Sequence, residues 1–175
     1  ISMTSDANRK LVTQVWDGIT EKFGVRMRVN YDDGGVIESR RESEEEAFEK
    51  IKEMTGIKEI DFTYLPEGME FQYYRIDDEM HEIRVYYLYK NAIFYMVIYH
   101  SDNPASSYNY FDGEFTFKES YINNQDMEIE IWEAKQENGS TIYAASFQHD
   151  DYSYICNGEM EYTEFMKILK FLIVD

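Results

Sequence analysis

Hydrophobic positions change period twice along the chain. Between residues 4 and 23, Leu11, Val12, Val15, Trp16, Ile19 and Phe23 recur every three or four positions, which predicts a helix with one apolar stripe. Ser5 or Asp6 can cap its start and Gly24 can end it. Val25 to Tyr31 alternates apolar and polar residues as a half-buried strand does, Asp32-Asp33-Gly34-Gly35 is a turn signal, and residues 36–40 return as a short strand. The helical period resumes over 43–55. Ser43 with Glu46 three later forms a capping box, and Glu44, Glu45 and Glu46 sit where the positive end of the helix dipole favours them. Ala47, Phe48, Ile51 and Met54 make the buried face and Gly56 the stop.

From residue 69 to 157 the period is two. Tyr64-Leu65-Pro66-Glu67-Gly68-Met69 leads in as an extended stretch entering a turn. Strands are predicted at 69–77, 82–90, 92–100, 114–122, 126–135, 140–149 and 152–157, joined by short polar connections such as Lys90-Asn91, Asn138-Gly139 and Asp150-Asp151. Met127, Ile129 and Ile131 point inward against Glu128 and Glu130, and Thr141, Tyr143, Ala145 and Phe147 share a face. A last helix at 163–173, capped by Thr163, presents Phe165, Ile168, Leu169 and Leu172. Strands in a run with helices at both ends define an α+β class. The expected fold is a curved antiparallel meander sheet of about seven strands, with the N-terminal and C-terminal helices packed on one face. One domain covers 1–175, with an N-terminal helix in 1–24 and the sheet with two further helices in 25–175.

Strand 92–99 is apolar on both faces, so it belongs in the middle of the sheet, covered on each side. Either helices and a loop fill both sides, or the sheet curls around a cavity for an apolar ligand.

Composition narrows the functional classes. The chain has 175 residues, 43% of them apolar, with 17 basic and 35 acidic side chains and a net charge of −18. A nucleic-acid binder needs basic groups to displace phosphate counterions, so that class is excluded. Self-repulsion opposes compaction, and salt relieves it. Two prolines and one cysteine exclude a collagen-like chain, a disulfide scaffold and a zinc-finger array. No apolar run approaches the roughly 20 residues needed to cross a bilayer, and no signal peptide is visible. The sequence starts at Ile1, which fits a trimmed or mature form.

Candidate chemistry is sparse. His81, His100 and His149 have no zinc-protease spacing, and Cys156 alone cannot build a thiolate site. His149-Asp150-Asp151 could ligate a cation, but it reads first as a charged hairpin tip. Nucleophile-elbow, P-loop, dinucleotide-binding and EF-hand patterns are missing. Asn138-Gly139-Ser140 matches a glycosylation acceptor and reads first as a turn. No catalytic residue, metal ligand or cofactor is assigned. Tyr73, Tyr74, Tyr86, Tyr87, Tyr89, Tyr95 and Tyr99 fall on adjacent strands. They are either ordinary strand residues at a core edge or an aromatic platform for a partner. The one long connection, 101–113, ends in Tyr108, Tyr110 and Phe111, which are the candidate contacts for a partner or ligand if they do not fold back over the sheet.

Several segments resemble a known family. Ser2-Met3-Thr4-Ser5-Asp6-Ala7-Asn8-Arg9 and Val15-Trp16-Asp17 resemble part of membrane-anchored proteins of Gram-positive bacteria. Tyr64-Leu65-Pro66-Glu67-Gly68-Met69, the tyrosine-rich strands and the closing Tyr162, Glu164-Phe165 and Ile168-Leu169 are similar to the family called domain of unknown function 4367. The resemblance implies a transmembrane helix upstream of Ile1, absent from this chain, with these residues outside the cell and 1–24 next to the membrane. It also implies a distant similarity to half-barrel lipoprotein carriers and anti-sigma regulators, and a role in envelope signalling. It brings no catalytic residues. The expected function is a non-enzymatic extracytoplasmic sensor or interaction domain with an unknown protein or envelope ligand as partner. The alternatives are a carrier or receptor for an apolar ligand and a hydrolase of envelope polymers.

Overall fold

The computed structural model describes residues 43–77, 82–102 and 115–175. The elements expected over 4–23, 25–31, 32–35 and 36–40 lie outside them, as do His81 and most of the 101–113 connection.

Helix α1 covers Glu44–Thr55 and begins as its sequence predicts. The Ser43 hydroxyl accepts from the Glu46 N–H, and the Glu46 carboxylate accepts from the Ser43 N–H. Gly56 ends the helix at φ 75°, donating its N–H to the Lys52 carbonyl. Ala47, Phe48 and Ile51 are buried. Met54 completes their stripe by spacing, yet it is 51% exposed. Periodicity assigns a residue to a face but does not say how far along the helix that face is covered.

A short strand β1 (Ile60–Phe62) follows, then a turn in which Gly68 takes φ 85° and the Met69 N–H donates to the Pro66 carbonyl. The remaining strands are β2 (Glu70–Asp77), β3 (Glu82–Tyr89), β4 (Ala92–His100), β5 (Thr116–Ile122), β6 (Glu128–Lys135), β7 (Thr141–His149) and β8 (Tyr152–Glu159). Helix α2 spans Tyr162–Lys170, and β9 is Leu172–Val174. Lys90 and Asn91 join β3 to β4 with both φ values positive, the geometry whose twist matches a hairpin.

The α+β class holds. β2 to β8 form one open antiparallel sheet, and the two helices of the described residues share a core cluster with one of its faces. The order is β2-β3-β4-β8-β7-β6-β5, so this is not one meander in chain order. Three strands run inward from one edge. The chain then passes to the far edge, and four strands return until β8 pairs with β4. Polarity explains the order. In β8, Tyr154, Ile155 and Cys156 are buried on alternating faces, which suits the middle of a sheet. β5 (Thr116-Phe117-Lys118-Glu119-Ser120-Tyr121-Ile122) is exposed along most of its length, which suits an edge.

The end of the chain departs from expectation. The last helix stops at Lys170, not 173, and its first flanking residue is Glu161, without a side-chain cap, rather than Thr163. Residues 172–174 are extended and pair antiparallel with β1, Ile60 opposite Val174 and Phe62 opposite Leu172. Leu172 and Val174 are as buried as helix residues would be, so an apolar stripe alone could not tell the two conformations apart. Gln125, in the β5–β6 turn, clasps this strand: its amide donates to the Val174 carbonyl at 3.1 Å and accepts from the Val174 N–H at 3.0 Å. The turn is shaped by Asn123, whose carboxamide oxygen accepts from the N–H groups of Gln125 and Met127.

Rows of apolar side chains cross the helix-covered face. Val85, Met96, Cys156, Ala145 and Ile131 are register neighbours on five successive strands, and all are fully buried. One row away, Gly158 lies beside Phe94. A Cβ on Gly158 would stand 2.8 Å from Phe94 Cδ2 and 3.0 Å from Met160 Cε. Glycine there lets the Phe94 ring lie against the sheet.

Candidate functional site

Tyr108, Tyr110 and Phe111 lie outside the described residues. The strand tyrosines do not form an exposed platform: Tyr73, Tyr86, Tyr87, Tyr89, Tyr95 and Tyr99 are all buried. Tyr87 and Tyr89 join the helix-covered core, as alternation from Ile83 and Val85 predicts. There Phe62 meets Tyr87 at 5.6 Å and Phe94 at 5.8 Å, and Phe94 meets Phe165 at 6.4 Å, all edge-on. Tyr86 faces the other way and stacks on Tyr73 at 4.8 Å.

That second face also holds a buried ion pair. Arg84 Nε donates to Glu82 Oε2 at 2.6 Å, with both side chains almost fully withdrawn from solvent. Buried charges persist only when paired, so the two are mutually dependent. Burial raises the Tyr86 hydroxyl to about 12, with Arg84 opposing the shift.

A pocket of about 140 Å³ opens between the end of α1 and the β7–β8 hairpin. Thr55, Gly56, Ile57 and Lys58 form one wall; His149 to Tyr152, with Tyr154, form the other; Asp175 closes it. The Tyr152 hydroxyl ties the walls together by donating to the Thr55 carbonyl at 3.0 Å. The hairpin tip bends through Asp150 at φ 49°. So His149-Asp150-Asp151 is the charged tip its sequence suggested, and sequence offered no sign that this tip would meet residues 55–58. Among the described residues, no group of three or more His, Cys, Asp or Glu is placed to hold a metal ion.

A different surface lies at the sheet edge. Phe117 is 54% and Ile122 56% exposed on β5, and Phe117 packs edge-on against Trp132 at 5.4 Å.

Among the described residues, an open seven-stranded antiparallel sheet with two helices on one face and a small pocket at one end defines an α+β domain. The chain belongs to the family of the domain of unknown function DUF4367, whose model matches residues 59–172. This agrees with the resemblance carried by the Tyr64–Met69 turn, the tyrosine-rich strands and the closing helix. No curated protein and no solved structure matches the chain. Among the described residues, no helix is long and apolar enough to cross a membrane.

Proposed function

We propose that this chain is a non-enzymatic interaction domain of a membrane-anchored protein, exposed outside the cell and serving envelope sensing by binding a protein partner. The observation that supports this reading most is the edge strand β5. It exposes two large apolar side chains, Phe117 and Ile122, on a domain whose helix-covered interior is filled with interlocking rings. A ligand carried on that side of the sheet would have to displace Phe62, Tyr87, Phe94 and Phe165, which counts against the carrier alternative. An edge strand with exposed apolar groups suits a partner that adds an extended segment alongside it. A charge of −18 favours a basic partner.

The test uses the full-length protein in its own cells. Glu137→Cys, in the exposed β6–β7 turn, is treated with a membrane-impermeant maleimide, and a photocrosslinking residue is placed at Phe117. Labelling of intact cells, with one discrete crosslinked product from position 117, is the expected result. Labelling only after lysis removes the extracytoplasmic setting, and absence of a discrete product removes β5 as the docking edge.

A further inference from the structure

The pocket between α1 and the β7–β8 hairpin has unanswered hydrogen-bonding groups. Tyr154 is 1% exposed, its ring is stacked on Phe147 at 4.9 Å, and its hydroxyl has no hydrogen-bond partner although the residue lines the pocket. His149 Nε2 is also buried without a hydrogen bond; Asp150 Oδ2 lies 3.7 Å away. Buried polar atoms are nearly always satisfied, so two orphans on residues that line one small pocket mark a place where a ligand, with a small shift of these side chains, can supply the partners.

The charge around them is mainly negative. Among the described residues, Asp150, Asp151 and Asp175 line the pocket against one lysine, Lys58. The C-terminal end of α1 also opens here through Thr55 and Gly56, adding the negative end of a 12-residue helix dipole. The carboxylates surround the space without converging as metal ligands. That spacing suits a cation whose charge is spread over several N–H donors. Tyr152, Tyr154 and Ile57 supply apolar surface for a short carbon chain.

We propose that this pocket binds an organic cation bearing N–H groups, a primary ammonium or a guanidinium on a short alkyl chain. Its N–H groups donate to acceptors drawn from the Tyr154 oxygen, neutral His149 Nε2 and the Asp150 and Asp151 carboxylates, and a guanidinium has enough N–H groups for all of them whereas an ammonium leaves one unmet. The cation is either a free amine or the side chain of a lysine or arginine in a peptide. This inference rests on the pocket and not on the β5 reading above.

The test is an amide-resolved NMR titration of the isotopically labelled chain with n-butylammonium, n-butylguanidinium, tetramethylammonium and n-butanol. Saturable shifts at Gly56, Lys58, Asp151 and Tyr152 are expected with the first two probes. Tetramethylammonium, which has no N–H, and butanol, which has no charge, should bind much more weakly. Tyr154→Phe and Asp150→Asn should each weaken binding by about tenfold, the effect of losing one charge-assisted hydrogen bond. Asparagine tolerates the left-handed backbone at 150. Unchanged spectra outside the pocket show that each variant is folded. A blocked peptide with a central lysine that binds more tightly than n-butylammonium identifies a peptide source, and equal binding identifies a free amine. Shifts spread evenly over the acidic surface, equal binding of tetramethylammonium, or no effect of either variant would overturn the proposal.

Discussion

The hydroxyl of Tyr87, on β3 one strand in from the sheet edge, donates a 2.6 Å hydrogen bond to Oε1 of Glu44 in the first turn of α1. The bond fixes the helix over β3, and it holds the Glu44 carboxyl in a half-buried position. Burial outweighs the Tyr87 bond and raises the Glu44 carboxyl above its ordinary value of 4.5. The folded state therefore holds the Glu44 proton more tightly than the unfolded chain does. The stabilisation is fully present below the unfolded value and is lost as pH rises through the folded one. Glu44→Gln keeps an acceptor for Tyr87 and removes the titration. The melting temperature of the variant relative to the parent should therefore be higher at pH 7 than at pH 4. A difference that is flat with pH, or that runs the other way, would contradict the assignment.

Gly158→Ala should destabilise the fold by about 1–3 kcal/mol, as overpacking does in a filled core. The added methyl meets the Phe94 ring, which is held by Phe62, Tyr87 and Phe165 and has little room to retreat. Denaturant titration measures the loss. Gly158→Ala combined with Phe94→Leu should lose less than the sum of the two single changes, because they share one contact.

Gln125→Ala leaves both backbone groups of Val174 without their partners and should cost about 1–2 kcal/mol. The sharper readout is local. Hydrogen exchange at the Val174 amide should speed up more than exchange at Met96, in the centre of the sheet. Equal acceleration at both sites would mean that the clasp has no special hold on β9.

Cys156 is fully buried between Met96 and Ala145, and burial pushes its thiol well above its ordinary range. A low thiolate population behind a packed wall should be inert. Reaction with an aromatic disulfide reagent should therefore appear only with unfolding, and its midpoint in denaturant should match that from tyrosine fluorescence. Fast modification of the native protein would show that the sheet opens locally at β8.

Much of the architecture was legible because its signals are local. Ser43 and Glu46 announce a helix start, Lys90-Asn91 and Asn138-Gly139 announce hairpins, and alternation sorted Tyr87 from Tyr86. Strand order was not legible as a meander, because pairing of β4 with β8 is decided by comparing the polarity of β8 with that of β5, two segments far apart in the chain. Short strands such as Leu172–Val174 have too few residues to show a period. The pocket was half visible. The His149-Asp150-Asp151 triplet stood out as charge, whereas Tyr154 looked like any other strand tyrosine until residues 55–58 were set beside it.

The seam between β4 and β8 also governs how the molecule is assembled. Each half-sheet, β2 to β4 and β5 to β8, consists of neighbours in sequence, and such contacts close quickly. The seam joins them only after the intervening chain has been gathered into a large loop, and that loss of freedom must be met before the seam gives anything back. The speed of refolding therefore depends on meeting across this one boundary more than on the hairpins to either side of it.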